Sequence, residues 1–486
     1  MKVLPLRPGA SLFSAAALGT LLSACALIKG PAEPAPALRD AASVRLAADI
    51  QLAEEGWPDE HWWRRYDDAQ LDHLIDFALA HAPSIEAARR RVDQAQTQLD
   101  TVRSATKLQA IALGLLDETH VSANGFLGPY ALDLHAFGID GPWYTEPIVG
   151  VGARYSFDLW GRQRSDVNAA IGARNAQRAE RAAVELLVTT GVAQLYFEMQ
   201  TLMHQEQLLS EARDIAQAAV AHHQARAERG LESTTPLADS RALLLQIEQQ
   251  LALTQGQTRE WREALRALVG AGADELPAFA IAPLPASALA VPSTLPSQLL
   301  ARRADLQALR WYVQSSADAI GAARAAFYPS FDIKAFFGLD ALHVSDFARA
   351  SSGQLNLVPG LTLPLFDGGR LNANLRHART VNAIVIEQYN QAVLDAVRDV
   401  ALAGVQLQTL AQRQSLLNAR LHEVQTVATS TAAHYGRGLA SRTDSLTARL
   451  PVISQEAEVL AVHGHQIDAQ IRLIQALGGG FPDAGH

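Results

Sequence analysis

Two stretches of this sequence are too long and too uninterrupted to belong to an ordinary globular core. Residues 162–229 and 370–437 each run for 68 residues without a proline. In the first stretch Val188, Val192 and Leu195 follow one another at steps of four and three, which is the spacing of a coiled-coil seam. As an α-helix each stretch would be about 100 Å long, so the sequence predicts rods rather than a globule.

Similar motifs precede and end both stretches. "FDLWGR" begins at Phe157 and "FDGGR" begins at Phe366, 209 residues later, while "RGL" at residues 229–231 returns 208 residues later at 437–439. Two independent pairs of motifs with nearly the same offset indicate two tandem copies of one unit. The Pro-rich segment 271–296 lies where the copies meet, and we interpret it as the inter-repeat linker.

Four other helical stretches are about half as long as the rods. They cover residues 71–107, 236–269, 297–327 and 440–477. Two of them stacked end to end would match one rod, which predicts a wall of side-by-side rods. Pro451 interrupts the last stretch, and a proline inside a helix is expected to kink it.

Strand signals are confined to the segments before the rods. Apolar and polar residues alternate in 149–158, 331–337 and 355–365, and less cleanly in 108–116. The predicted polar face carries Arg154, Asp158, Asp332 and Lys334. In a soluble sandwich the apolar face would form the core, whereas in an outer membrane it would face lipid and the polar face would line a wet lumen. Four strands cannot close a barrel, so the membrane interpretation requires an oligomer.

The N-terminus has the layout of an export signal, with basic residues before an uncharged apolar run. The run ends in "LSAC", which resembles the bacterial lipobox, where the chain is cut before the cysteine and the cysteine is lipidated. Cys25 is the only cysteine, so it cannot form a disulfide within one protomer. We expect lipidation at Cys25, and Ala26 after it implies the outer membrane. The alternative is an uncleaved anchor formed by residues 8–28.

These features divide the chain into six segments. The expected boundaries are 1–24 for a signal peptide, 25–60 for the lipidated N-terminus and tether, 61–270 for the first repeat with a hairpin at about 108–158, 271–296 for the linker, 297–477 for the second repeat with a hairpin at about 329–366, and 478–486 for a C-terminal tail.

Composition and motifs argue against several classes of function. The formal net charge of −9 does not suit a nucleic-acid-binding face. The sequence contains no GxSxG, P-loop, HExxH or CxxC motif, so nothing in it supports an enzyme. His222 with His223, and His463 with His465, are spaced so that they point to different faces of a helix. We therefore expect no metal site and no cofactor.

Six separated motifs carry a resemblance to a known family. They are "LSAC", "WWRRYDDAQLDHLIDFAL" from Trp62, "DLWGR" from Asp158, "LPSQLLARRADLQAL" from Leu295, "IGAARAAFYPSF" from Ile320 and "LFDGGR" from Leu365. Together they resemble the signatures of TolC-like outer-membrane efflux channels, in the lipoprotein branch that serves tripartite pumps of the resistance-nodulation-division type. The resemblance implies an α+β membrane channel, a homotrimer whose protomers each give four strands to one 12-stranded β-barrel, with an α-helical barrel in the periplasm.

The resemblance also implies a function and partners. The protein would be a passive exit duct in the outer membrane for drugs or other small toxic compounds, joined to a periplasmic adaptor and an inner-membrane pump. A type I secretion exit channel and a non-channel periplasmic adaptor or tether remain as alternatives.

The sequence departs from the family pattern at two places. Ala304 stands where the family usually has proline, and the first copy lacks the helix-to-strand junction that the second keeps as Tyr328-Pro329.

The resemblance assigns roles to the ends of the rods. Asp158 and Asp367 are expected to cap the rods where each strand becomes a helix. The adaptor-contact candidates at the far ends are Arg229, Gly230, Leu231, Arg437, Gly438 and Leu439. The gate candidates are Arg442, Thr443, Asp444 and Thr447. Three copies of Asp444 could form an acidic ring with Arg442 as a pairing partner, although a first-turn acid also simply favours the positive end of its helix.

Overall fold

The computed structural model describes residues 36–39, 58–122, 124, 142–286 and 302–480. The chain divides into two compact units. The first includes Asp93–Asn175 and Trp311–Glu387, and the second includes Leu38–Val92, Ala176–Arg310 and Gln388–His486. The expected signal peptide, Cys25 and part of the expected linker lie outside the described residues.

Helices dominate the described residues. The α-helices are α1 (Ala69–His81), α2 (Pro83–Ala105), α3 (Arg162–Glu228), α4 (Thr234–Val269), α5 (Ala304–Ala325), α6 (Arg370–Gly436), α7 (Arg442–Thr447) and α8 (Arg449–Ala476), and the strands are β1 (Gln109–His120), β2 (Trp143–Phe157), β3 (Ser330–Asp340) and β4 (Gly353–Thr362). Short 3₁₀ turns cover Trp62–Tyr66, Val344–Asp346 and Ala350–Ser352.

The two rods are continuous helices of 67 residues each. Both begin at the expected residue and end one residue before the expected end. Gly230 and Gly438 follow them with φ of +67° and +74°, a left-handed conformation that costs glycine little and stops a helix. In the described part of the chain, no helix combines the length and the apolar character needed to cross a bilayer.

The single helix expected over residues 71–107 is wrong, because the chain forms α1 and α2 there. Ala82 between them has φ −60° and ψ 123°, which is extended backbone. Pro83 follows, and a proline disfavours helical backbone in the residue before it.

The helix expected over residues 440–477 is divided at Ala448 into α7 and α8. Pro451 explains the division. It has no N–H to donate to the carbonyl of Thr447 four residues earlier, and its ring crowds that carbonyl. The interruption therefore falls where the expected kink would place it.

The four strands form one antiparallel sheet in the order β1-β2-β3-β4. Each repeat contributes one hairpin, and β2 pairs with β3 to join the two hairpins. The two tandem hairpins predicted from the duplication are confirmed. In the sheet as described, β1 and β4 are edge strands whose outer sides are unpaired.

In the second unit a large hydrophobic cluster packs the Trp62–Tyr66 turn and α1 against α3, α4 and α8. Its fully buried members include Trp62, Leu71, Ile75, Tyr196, Leu265, Ile467 and Ile471. Burial of a large apolar side chain contributes roughly 1.5 to 3 kcal/mol, so this cluster is a main source of stability for the unit.

Part of the linker is bound to this cluster by side-chain amides. Gln70 donates to the Ala280 carbonyl at 3.1 Å and accepts from the Ala280 amide at 2.9 Å. Gln200 donates to the same carbonyl and accepts from the Ala282 amide, both at 2.9 Å. Two glutamines thus pair with extended backbone much as a neighbouring strand would.

Small residues bring α3 and α5 close together in the first unit. A Cβ on Gly172 would lie 2.9 Å from Cβ of Ser315, and a Cβ on Gly321 would lie 2.9 Å from Oγ of Ser165. Ser315 also donates from its hydroxyl to the Ala169 carbonyl at 2.7 Å. A larger residue at either glycine would push the helices apart.

Candidate functional site

One face of the sheet is apolar and exposed. Phe337, Leu355 and Leu357 are 69%, 74% and 68% exposed, and the register places Phe337 opposite Leu355. Val149 and Val151 of β2 lie on the same face. A soluble fold would bury such a surface, whereas exposure over neighbouring strands is typical of a wall that faces lipid.

The opposite face carries three of the four expected lumen residues. Arg154 is directly opposite Lys334, and Ser156 is opposite Asp332. Arg154 Nε lies 3.7 Å from Asp332 Oδ2, so the two side chains form an ion pair. The alternation in the sequence correctly places Arg154, Asp332 and Lys334 on one face. Asp158 does not belong with them, because β2 ends at Phe157.

Asp158 instead lies just before the first rod and caps its first turn. Its Oδ1 accepts the Gln163 amide at 3.0 Å, and its Oδ2 accepts the Arg164 amide at 2.9 Å. These amides have no partner inside the helix, so the carboxylate satisfies two donors and also lies at the positive end of the helix dipole. Gly161 between strand and helix has φ +74°, which permits the sharp turn.

Asp367 also accepts two backbone amides where the second rod begins, but they are two and four residues further on rather than five and six. It accepts the Gly369 amide at 3.0 Å and the Leu371 amide at 2.8 Å. Gly368 and Gly369 have φ of +65° and +87°. The repeated Phe-Asp motif therefore places a hydrogen-bonding aspartate just before the rod in both repeats, although the turns themselves differ in length.

Trp160, between β2 and the first rod, contacts the second repeat. Its indole N–H donates to the Pro329 carbonyl at 2.8 Å, and its ring stacks on Tyr328 with centroids 5.0 Å apart. The first copy lacks a Tyr-Pro junction of its own. The second copy's Tyr328-Pro329 therefore supports both repeats within the first unit.

The two rod ends share one hydrogen-bonding pattern. At each end the glycine amide bonds the carbonyl three residues earlier, and the next amide bonds the carbonyl five residues earlier, all four at 2.9 Å. This is the Schellman motif. Leu231 and Leu439 beyond the glycines are 64% and 74% exposed. The expected adaptor-contact residues thus form two equivalent turns: Arg229, Gly230, Leu231 and Arg437, Gly438, Leu439.

The first turn carries a charged cluster that sequence reasoning missed. His223 Nδ1 lies 2.7 Å from Glu232 Oε2, and Arg226 Nε lies 3.6 Å from the same oxygen. The hydrogen bond with His223, with the nearby charges of His223, Arg226 and His222, holds the pKa of Glu232 below its usual range. The positions 208 residues later are threonine, histidine and alanine, so the second turn has no equivalent cluster.

Asp444, the main gate candidate, belongs to a capping box at the start of α7. Ser441 Oγ accepts the Asp444 amide and Asp444 Oδ2 accepts the Ser441 amide, both at 3.1 Å. These hydrogen bonds hold the pKa of Asp444 below its usual range, and the side chain is exposed. Within the described residues of one protomer, no ion pair joins Arg442 to Asp444. Thr447 donates its hydroxyl to the Thr443 carbonyl at 2.9 Å.

Arg449 links two helices near this segment and was not singled out from the sequence. Its Nε lies 2.9 Å from Glu211 Oε1 on α3, and its guanidinium also pairs with Glu456 at 2.9 Å. The two carboxylates raise the pKa of Arg449. Glu211 is 238 residues away in the sequence, so no local pattern could have predicted the contact.

Among the residues whose placement is described, no group of three or more His, Cys, Asp or Glu side chains is arranged to hold a metal ion.

Comparison with known proteins agrees with this geometry. The chain is 48% identical over 465 residues to the multidrug resistance outer membrane protein MdtP of Escherichia coli O6:H1, covering 96% of this chain and 95% of that protein. The outer membrane protein VceC of Vibrio cholerae is 28% identical with a TM-score of 0.76, over 87% of this chain and 100% of that one. The CmeC outer membrane channel of Campylobacter jejuni is 19% identical with a TM-score of 0.81, over 94% and 95% of the two chains.

The outer membrane efflux protein model matches residues 74–271 and 295–479, which are the two halves of the duplication. The match covers both hairpins and both rods. The protein therefore resides in the outer membrane as an efflux channel, and the chain belongs to the outer membrane efflux protein family.

Proposed function

We propose that three copies of this chain form the outer-membrane exit duct of a tripartite efflux pump. The observation that carries the proposal is a four-stranded sheet with an exposed apolar face and two unpaired edges. Unpaired backbone is not tolerated in lipid, so other copies have to complete the barrel. Three copies give twelve strands, which is an even number within the range of outer-membrane barrels.

In that barrel Arg154, Asp332 and Lys334 line the lumen. Theirs is the face that carries the Arg154–Asp332 ion pair in the described sheet. The exposed apolar face meets lipid. Placing a charged pair such as Arg154 with Asp332 in a wet lumen costs far less free energy than placing it in the hydrocarbon core.

The duct carries drugs or other small toxic compounds and has no energy source of its own. The relative's printed name, multidrug resistance outer membrane protein, supports this cargo. An inner-membrane pump supplies the energy, and a periplasmic adaptor docks at the two rod ends. The exposed Leu231 and Leu439 support that contact, because both lie on hydrogen-bonded turns that leave their side chains uncovered.

The segment from Arg442 to Thr447 lines the periplasmic aperture. Asp444 supports this role because the capping box fixes its backbone while its carboxylate stays exposed and ionised. A rigid, charged side chain at the start of a short helix is suited to form a ring when three copies converge.

Cys25 carries the lipid anchor. The lipobox-like "LSAC" and the absence of any other cysteine in the sequence support it. Mass spectrometry of the mature N-terminus should show acyl chains on Cys25, and Cys25→Ser should remove them while the barrel holds the protein in the membrane. An intact signal sequence or an unmodified Cys25 would contradict the anchor.

The duct itself is tested by isolating the full chain from outer membranes. An unheated sample on an SDS gel should run as a trimer that heating converts to the 52.3 kDa chain, less its signal peptide.

A strain lacking the gene should become sensitive to drugs, and Leu231→Asp with Leu439→Asp should fail to restore resistance although the trimer forms. A monomer in every detergent would reject the duct. A trimer whose loss changes only protein secretion would favour the type I secretion alternative.

A further inference from the structure

An apolar patch lies on the face of the sheet that otherwise carries charged and polar side chains. Ile111 and Leu113 of β1 are paired with Gly152 and Gly150 of β2, and Phe336 of β3 is paired with Gly152 from the other side. Cross-strand partners share a face, and these glycines share theirs with the Arg154 side chain. All three apolar side chains therefore lie on the proposed lumen face. The irregular alternation of β1 in the sequence gave no indication of this.

Glycines make room for the patch. A Cβ on Gly150 would lie 2.7 Å from Cζ of Phe336, and a Cβ on Gly338 would lie 2.8 Å from the same atom. A Cβ on Gly152 would lie 3.5 Å from Cγ1 of Ile111. The Phe336 ring thus covers two paired glycines, and the apolar surface continues across three strands.

Such a surface is unexpected in a water-filled passage. The interiors of outer-membrane barrels are generally polar, and exposed apolar surface on a folded protein usually marks a binding site. Ile111 is 64% exposed and Leu115, four residues further along β1 on the same face, is 54% exposed, while Leu113 and Phe336 are half-buried. A barrel completed by other copies pairs the sheet edges and leaves this face open to the lumen. The patch is therefore available to molecules in transit.

The charges on either side of the patch are unequal. Beyond Leu113 the next two rows of the face contain Asp340, and then Asp117 opposite Glu146. Rows of one face are about 7 Å apart along a strand. The described strand residues of this face carry no lysine or arginine in those rows. On the other side Arg154 is partly neutralised by Asp332, which leaves Lys334.

We propose that this patch is a transit site for amphipathic organic cations, and the proposal rests on the proposed duct. The apolar body of the molecule lies on Ile111, Leu113 and Phe336. Its positive group faces the carboxylate of Asp117 and the hydrogen-bonded pair of Glu146 and Asp340, which shares one proton. The Phe336 ring adds attraction for a cation above its face. Charge complementarity selects cations over anions of the same shape, because the acidic rows outnumber the basic ones.

The test compares two ions of nearly equal size and shape, the tetraphenylphosphonium cation and the tetraphenylborate anion. Purified full-length trimers are placed in planar bilayers in sodium chloride, and each ion is added to either side while the sodium current is recorded. Tetraphenylphosphonium should reduce the current at concentrations at least about tenfold lower than tetraphenylborate. Higher salt should weaken the block by the cation, because carboxylate attraction is screened while apolar contact is not.

Substitutions distinguish the apolar contacts of the site from its electrostatic attraction. Ile111→Ser and Phe336→Ser should each weaken the block by tetraphenylphosphonium about tenfold, through loss of apolar contact. Leu116→Ser is the matched control on the opposite face, where the side chain is 63% exposed, and it should leave the block unchanged. Asp117→Asn with Glu146→Gln should weaken the block and remove most of its salt dependence.

Each outcome bears on the proposal. Equal block by the two ions, or equal block in the Ile111→Ser and Leu116→Ser variants, would overturn the transit site. If Phe336→Ser gives no channels, Ile111→Ser and the acidic double variant decide alone. Absence of channels in the unmodified protein would reject the duct itself, whereas working channels without discrimination would reject the transit site and leave the duct.

Discussion

Asp68 Oδ2 accepts a 2.7 Å hydrogen bond from the phenol of Tyr196, 128 residues further along the chain. Oδ1 of the same carboxylate accepts the amides of Gln70 and Leu71 and so caps α1. One side chain thus fixes the start of α1 against α3. Burial and the neighbouring carboxylate both raise the pKa of Tyr196, so the phenol remains a donor throughout the physiological pH range.

Tyr196→Phe should destabilise the protein by about 1.5 to 3 kcal/mol, because a hydrogen bond to a charged group is lost while the ring stays packed. The measurement is the temperature at which the trimer dissociates on an SDS gel, at one heating rate. Tyr435→Phe is the control, since its side chain is 43% exposed on the rod end, and it should have almost no effect. Equal behaviour of the two variants would show that the Asp68 contact contributes nothing.

The hydrogen bonds of Asp158 and Asp367 at the start of the rods give a second prediction. Asp158→Ala and Asp367→Ala should each cost about 1 kcal/mol, because two amides at the start of a rod lose their acceptor. Asp158→Asn and Asp367→Asn should retain most of the stability, since asparagine caps about as well as aspartate. Thermal dissociation of the trimer measures both pairs. If alanine and asparagine have equal effects, the carboxylates act through charge alone.

The rods and the sheet could be predicted because their signals are local. The long helices follow from 67 residues without proline and from the glycines at 230 and 438 that stop them. The strand faces follow from alternation, which correctly grouped Arg154, Asp332 and Lys334. Pro83 is an equally local signal, because a proline disfavours helical backbone at Ala82 and so divides residues 71–107 into two helices.

The contacts that could not be predicted join residues far apart in the sequence. Gln200 forms hydrogen bonds with the backbone of Ala280 and Ala282. A glutamine within a helical sequence pattern does not indicate which distant backbone segment it will contact. Arg449 with Glu211 is a similar case. The apolar patch at Ile111 and Phe336 depends on strand register, which a weakly alternating β1 does not specify. Only the packed structure brings these groups together.

The assignment of the sheet faces gives a third prediction. Leu357→Arg, near the middle of β4, should cost about 2 to 4 kcal/mol because it places a charge in lipid. Asn356→Arg is the matched control on the opposite face, where the charge stays hydrated, and it should cost much less. Trimer yield in outer membranes measures both variants, and equal losses would reverse or abolish the face assignment.

Glu198 gives a prediction about pH. Burial is the main cause that raises its pKa, with Asp468 adding to the effect and His465 opposing it. An acid whose pKa is raised on folding binds its proton more tightly in the folded state, so its ionised form lowers stability at neutral pH. That penalty grows as the pH rises through the unfolded-state pKa of about 4.3 and is absent below it.

Glu198→Gln should therefore raise the dissociation temperature of the trimer at pH 7.5 and have progressively less effect as the pH falls towards about 4. Glu260→Gln is the control, because Glu260 is exposed on α4, and it should show no such trend. A Glu198→Gln variant that is less stable at pH 7.5 would mean that the carboxylate makes a favourable contact in the trimer.

The gate proposal can be tested because capping and charge at Asp444 are separable. Asp444→Asn keeps an acceptor for the Ser441 amide and removes the charge, whereas Ser441→Ala removes one half of the capping box and keeps the charge. If three Asp444 carboxylates form a ring, Asp444→Asn should lower the cation preference of trimers in planar bilayers. Ser441→Ala should leave that preference unchanged and cost only about 0.5 to 2 kcal/mol of helix stability. A cation preference that is the same in Asp444→Asn and in the unmodified trimer would remove Asp444 from the aperture and leave it as a helix cap alone.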